Sequence, residues 1–156
     1  MSEDNQEFSI QKIYLKDVSF ESPNSPQVFA AVSDSQPQIN VQINSSHSSV
    51  GDNVFEVVLS ITVTATVEDK TTFLAEIKQA GIFTLSGFTD ENIGGMLGAY
   101  CPETLFPYAR ESISTLVTSG GFPQLLLSPV NFNALYTQQQ QQQAEAEAEA
   151  DQGAAH

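Results

Sequence analysis

An α+β protein, with a four-stranded antiparallel sheet carrying its helices on one face, is predicted by three observations. Apolar and polar residues alternate through four segments before residue 87, those segments are separated by turn-forming runs, and the apolar spacing becomes helical after Thr89. A chain of 156 residues is long enough to bury one core without disulfides or metal, so one domain is expected.

The first strand spans Phe8–Phe20. Its even positions include Phe8, Ile10, Tyr14, Val18 and Phe20 and are expected to face inward, although Lys12 and Lys16 interrupt them. The odd face then carries Asp17 and, one step on, Glu21, four residues apart and so about 13 to 14 Å from one another. Two prolines in Glu21–Pro26 stop the strand, and residues 27–37 read as a connection containing Val28, Phe29 and Val32. Ile39, Val41 and Ile43 make a short second strand, and residues 45–53 (SSHSSVGDN) read as a loop. Every odd position from Phe55 to Val67 is apolar, which predicts the strongest strand of the four. Asp69-Lys70 turns the chain, and Phe73, Ala75, Ile77, Phe83 and Leu85 continue the alternation with an irregularity expected near Gly81. That parity places Leu74 and Glu76 on the outer, wetted face.

Thr89 or Asp90 is a suitable N-cap for a short helix, and Gly94, Gly95 and Gly98 permit close backbone approach along it. Pro102 suits the start of a second helix, whose apolar residues Leu105, Ala109, Ile113, Leu116 and Val117 run to a stop at Gly120-Gly121. Residues 122–130 (FPQLLLSPV) are extended and apolar, and Asn131 or Asn133 opens a last helix with Leu135 and Tyr136. Residues 1–7 are polar and expected to be disordered. Residues 137–156 hold six consecutive glutamines and an Ala-Glu repeat, a low-complexity tail without core-forming residues. The single domain is therefore expected over residues 8–136.

Nineteen acids oppose five bases. With the four tail acids removed, residues 1–136 still carry fifteen acids against five bases, so the body itself is negative. Nucleic acid and anionic membrane surfaces are poor partners for such a chain, whereas a basic protein surface is attracted to it. One cysteine, Cys101, cannot form an internal disulfide, the amino terminus is acidic rather than signal-like, and no apolar run reaches the length of a membrane span. A cytoplasmic location is expected.

Catalytic patterns are missing. The two histidines, His47 and His156, lie in a Ser-rich run and at the last position, which leaves no serine nucleophile with an evident base, and no G-x-S-x-G elbow occurs. One cysteine and two distant histidines do not make a zinc set, so neither metal nor cofactor is expected. Cys101 reads as a small packed residue, Gly94–Gly98 (GGMLG) lacks the Lys-Ser/Thr ending of a phosphate loop, and the paired acids at 68–69 and 90–91 fit a turn and a helix start. Apolar runs such as Val28–Val32 and Leu125–Leu127 exceed what a small sheet and two helices need, and surplus apolar surface points to partners.

Several runs together, IQKIYLKDVSFESPNSPQVF, FEVVLSITVTATVED, FLAEIKQAGIFTLSG, MLGAYCPETLFPYARESISTLV and GGFPQLLLSPVNFNALY, resemble in this order the SecB family of bacterial protein-export chaperones. The likeness covers roughly residues 8–136. It implies a SecB-like homotetramer, a dimer of dimers with helices packed between the dimers, and places Gly94, Gly95, Gly98 and the neighbouring Cys101 at subunit contacts. It implies no enzymatic activity and no nucleotide. The family holds unfolded secretory precursors in apolar grooves and passes them to the SecA motor for export across the inner membrane. Carried over by position, the groove residues are Phe20, Phe29, Val41, Ile43, Leu125, Leu127, Phe132 and Leu135. The matching SecA-binding positions are Asp17, Glu21, Leu74 and Glu76, which would receive the basic, zinc-containing SecA tail. The chain departs from the family in having no tryptophan: residues 30–36 hold no apolar residue larger than Val32. Two other readings are a general or antitoxin-linked SecB-like holdase without SecA targeting, and a small α+β enzyme, which lacks a base.

Overall fold

The computed structural model describes residues 5–30 and 36–154. Four strands, β1 (Glu7–Glu21), β2 (Gln38–Gly51), β3 (Val54–Val67) and β4 (Lys70–Ser86), form one antiparallel sheet in the order β1-β4-β3-β2. A short helix α1 (Gln27–Ala30) follows β1. After the sheet come α2 (Asp90–Gly95), a π turn (Met96–Tyr100), α3 (Cys101–Ser119) and α4 (Phe132–Ala154). The strands-then-helices order matches the sequence expectation.

The core is one seam. Val57, Leu59, Ile61, Val63 and Ala65 of β3 and Phe73, Ala75, Ile77, Phe83 and Leu85 of β4 are buried on the helix side, under Leu105, Ala109, Ile113 and Val117 of α3. These α3 residues recur every four positions, which aligns them along one face of the helix. Gly81 interrupts the bulky residues of β4 because the space is taken: a Cβ there would lie 2.7 Å from the Phe83 ring and 3.0 Å from Leu105 Cδ2. The irregularity expected near Gly81 lies instead across from it, in β1.

That strand does not alternate simply. Phe8, Ile10, Ile13, Leu15, Val18 and Phe20 pair with Leu85, Phe83, Gly81, Gln79, Ile77 and Ala75, the core-side residues of β4, and register steps occur between Ile10 and Lys12 and between Leu15 and Asp17. Each step is a β-bulge, which inserts one residue and reverses the parity beyond it. Ile13 and Leu15 therefore face the helices and Tyr14 the wet side, the reverse of the even-in expectation. Buried Gln79 donates from Nε2 to the Tyr14 carbonyl at 3.1 Å, satisfying a backbone acceptor beside the second bulge.

Three further differences have simple causes. Residues 45–51 belong to β2 rather than to a loop, paired against Leu59–Val54; as an edge strand with polar residues on both faces they lack a periodic signal. The β3–β4 turn is Glu68-Asp69, one residue earlier than expected, with φ of 51° and 65°, the backbone of a two-residue type I′ hairpin. The two expected helices are one continuous run: Thr89 caps it by accepting from the Asn92 amide at 3.2 Å, and the π turn joins α2 to α3 through the Cys101 amide and the Met96 carbonyl. Pro102 follows that turn without breaking the helix. At the other end Asn131 caps α4 by accepting from the Ala134 amide at 3.0 Å, and α4 runs on as an exposed helix through the glutamine and Ala-Glu residues.

Two glycine substitutions should separate packing from backbone effects. Gly81→Val should cost about 1–3 kcal/mol by overfilling the seam. Gly95→Ala, where an added Cβ meets nothing within 4 Å, should be neutral or stabilising by up to about 1 kcal/mol. Urea unfolding of both variants checks the pair.

Candidate functional site: two faces of one sheet end

The end of the sheet formed by Asp17–Glu21 of β1 and Phe73–Glu76 of β4 carries a different surface on each side. Across the wet face, Asp17 stands opposite Lys78, Ser19 opposite Glu76, and Glu21 opposite Leu74. The four sequence-selected positions Asp17, Glu21, Leu74 and Glu76 thus share one face over three successive rows, with Glu21 and Glu76 next to Leu74 and Asp17 two rows on. Asp17 and Glu21 are exposed, while Leu74 and Glu76 are half-buried. None of these carboxylates forms an ion pair among the described residues. Lys78 is the one base within the patch rows, so the patch stays negative.

A second cluster lies farther up this face. Lys16 Nζ donates to Glu56 Oε1 at 2.8 Å, and the Tyr14 hydroxyl donates to Glu56 Oε2. These donors hold the Glu56 carboxyl below the ordinary carboxylate range, the lysine being the larger cause and the tyrosine the next. The same hydrogen bond to Glu56, aided by burial, pushes the Tyr14 phenol up to about 12. The sequence gives no sign of this cluster, because simple alternation puts Tyr14 and Glu56 on opposite faces of the sheet.

On the helix side, Phe20, Ala75, Val63 and Val41 form one row across the sheet, with Phe73, Ala65 and Ile39 in the next. Phe20, Phe29, Phe73 and Phe122 pack as an aromatic cluster with ring centroids 5.0 to 6.4 Å apart. Gly120 and Gly121 make room for it: a Cβ on Gly120 would stand 2.2 Å from Phe20 Cζ, and Gly121 has φ of 91°. Helix α3 covers β3 and β4 but leaves β2 open, so Ile39 and Val41 remain 39% and 38% exposed, with Phe29 at 54% and Leu126 at 66%. The open apolar side chains of β2 and the aromatic cluster lie on this same side of the sheet, the candidate trough.

The groove residues divide on inspection. Phe29 and Val41 are open; Phe20 is half-buried in the cluster and Leu125 half-buried against the core; Ile43 and Leu135 are half-buried and meet in a small cleft at α4. Leu127 and Phe132 lie in the core of the chain, 7% and 4% exposed, the latter with its ring edge against Phe106. Ile39 and Leu126 are likewise exposed apolar residues, and Phe122 completes the aromatic cluster; the alternation at Ile39 and the apolar run at 122–130 contain all three. Of the subunit-contact set, Cys101 is wholly buried within the chain, and that burial pushes its thiol up to about 12. Gly98 is closed over by the Tyr136 ring of the same chain, and Gly95 is open. The position expected to hold a tryptophan in related chains falls largely in residues 31–35, outside the described residues. Among the described residues no group of three or more His, Cys, Asp or Glu could hold a metal, and no helix is long and apolar enough to cross a membrane.

Open apolar side chains beside a long edge strand, backed by an acidic patch on an α+β fold, are of the kind that suits a protein binding extended polypeptide. The family model described as preprotein translocase subunit SecB matches residues 1–143, and the chain belongs to the SecB family. It is 56% identical to the protein-export protein SecB of Nitrosococcus oceani, over 85% of this chain and 81% of that one. The SecB of Methylococcus capsulatus is 53% identical, over 89% and 91% of the two chains, and that of Hydrogenovibrio crunogenus 56%, over 87% and 91%. Among solved structures, a SecB-like chaperone of Mycobacterium tuberculosis, in complex with a peptide from the HigA1 antitoxin, superposes with a TM-score of 0.65 at 17% identity, over 79% of this chain and 90% of that one. That likeness shows the fold. The family and its export-protein members establish a protein-export chaperone role.

Ionisation of Tyr14 gives a direct test of the wet-face cluster. Its folded value lies above the free one, so the stability it adds is complete below pH 10 and lost as pH rises through about 12. Glu56 acts in the opposite sense: its value is lowered, so its contribution is present above the unfolded carboxylate range and lost as pH falls through the folded one. Ultraviolet titration should show a tyrosine ionising near pH 12, and Glu56→Gln should bring that step down.

Proposed function

We propose that this chain is an ATP-independent holdase that keeps unfolded secretory precursors in an extended state and delivers them to SecA. The observation that carries the reading is the arrangement of the two faces: open apolar side chains beside an edge strand on one, and on the other three carboxylates, along the rows from Leu74 to Lys78, that form no ion pair among the described residues. Extended polypeptide offers side chains to the trough and backbone groups to the strand edge, a combination tolerant of sequence. Each large apolar side chain buried is worth roughly 1.5–3 kcal/mol, so a few anchors offset the ordering of the client. The acidic face suits a basic tail, here the zinc-containing tail of SecA, whose association would be steered by charge. An assembled tetramer, a dimer of dimers, is supported by Ile10, Leu15, Val18 and Tyr108, which are 44–49% exposed along β1 and α3 and would be covered by another copy. A cytoplasmic location and the absence of catalytic activity belong to the same reading. Identities above 50% to export proteins favour it over an antitoxin-linked holdase.

Asp17→Lys together with Glu76→Lys should weaken binding of the SecA tail at least tenfold at low salt and leave the delay of precursor refolding intact. Tail binding by the unsubstituted protein should fall as ionic strength rises. Phe29→Ala should shorten the delay and spare tail binding. Native mass spectrometry should give four times the chain mass; a stable monomer that does not delay refolding would overturn the reading.

A further inference from the structure

The second bulge of β1 creates an electrostatic problem that Glu56 solves. In a regular strand Lys16 and Asp17 would point to opposite faces. Here the register step between Leu15 and Asp17 puts both on the wet face: Asp17 pairs with Lys78, and Lys16 reaches Glu56. The ammonium group nearest in sequence to the patch is therefore free to fold onto Asp17. The patch rows hold three carboxylates and Lys78, a net two negative charges, and Lys16 would halve that.

Glu56 draws it the other way. Asp17 shares its row with Lys78 and Ser60, and Glu56 lies four residues along β3 from Ser60, about 13 Å up the sheet. Both oxygens of Glu56 are engaged, Oε1 by Lys16 at 2.8 Å and Oε2 by Tyr14, so the tyrosine fixes the carboxylate that holds the lysine. Glu56 keeps only 16% of its side chain exposed while Lys16 keeps 48%, which makes Glu56 the fixed partner and Lys16 the movable one. We propose that Glu56 is a positioning residue for the acidic docking face, holding Lys16 away from Asp17 so that the patch meets a basic partner with its full charge.

The inference rests on the reading that Asp17, Glu21 and Glu76 receive a basic segment, and a double-mutant cycle separates the two. The probe is a synthetic Lys/Arg-rich peptide, titrated at low salt against the full-length chain, Glu56→Gln, Lys16→Gln and the double variant. Removing Glu56 should weaken the peptide about three- to fivefold when Lys16 is present, the range expected of one exposed charge pair. With Lys16 already replaced, the same change should have little effect, so the double variant binds like the unsubstituted chain or better. An equal loss in both backgrounds would mean that Glu56 acts only through net charge, and would overturn the proposal. Peptide binding indifferent to Asp17→Asn and Glu21→Gln would instead remove the docking reading itself. Thermal midpoints of all variants are recorded alongside; a loss of affinity that tracks the midpoint and is not rescued by Lys16→Gln also counts against the proposal.

Discussion

The structure depends on one constraint: the odd side chains of β4 from Phe73 to Leu85 must all face α3. Those residues and their β3 partners supply most of the buried apolar surface, and no other element has a comparable continuous face. With β4 regular from Phe73 to Leu85, beyond the register step it makes against β3 at Thr72, any strand paired to that stretch must bring its own apolar residues to the same side. Strand β3 does so by plain alternation. Strand β1 has apolar residues that fall out of step, and it stays in register by bulging twice. The stepped backbone then fixes what appears on the outer face, including the Tyr14, Lys16 and Glu56 cluster.

Those bulges were legible, though not to a reading that insists on period two. The apolar residues of β1 are Phe8, Ile10, Ile13, Leu15, Val18 and Phe20, with intervals of two, three, two, three and two. Each interval of three marks an extra residue. Even-in alternation treats Lys12 and Lys16 as interruptions of the string, whereas those lysines stand where the phase changes. Asp17 and Glu21 were still assigned to the correct face because they follow the second bulge, after which the even-in phase is restored.

Other parts were less legible for physical reasons. Residues 45–51 carry Ser, His, Val and Gly, and being exposed on both faces of an edge they need no alternation; pairing with β3 alone makes them a strand. Where residues 122–135 settle depends on contacts distant in sequence. Leu127 and Phe132 are drawn into the core while Leu126 is left at the surface, and nothing in the local run LLL distinguishes them. Gly98 was legible as a site of close approach, but its neighbour, Tyr136 of the same chain, could not be named from the sequence.

The two candidate surfaces share a backbone. Ser19 and Glu21 point to the acidic side and Val18 and Phe20 to the helix side, while Leu74 and Glu76 alternate with Phe73 and Ala75 in the same way. A partner on the wet face and a polypeptide in the trough would therefore be about one sheet thickness apart, without competing for atoms. Yet β1 is an edge strand, held on one side by β4 alone, so a shift of its last residues imposed from either face is felt on the other. Coupling between two bound partners must be reciprocal: if docking on the acidic side disturbs Phe20 and the cluster it anchors, a client seated there must weaken docking to the same degree. Under the proposed function, such coupling would give a route for release that needs no nucleotide, only a strand edge with a different partner on each side.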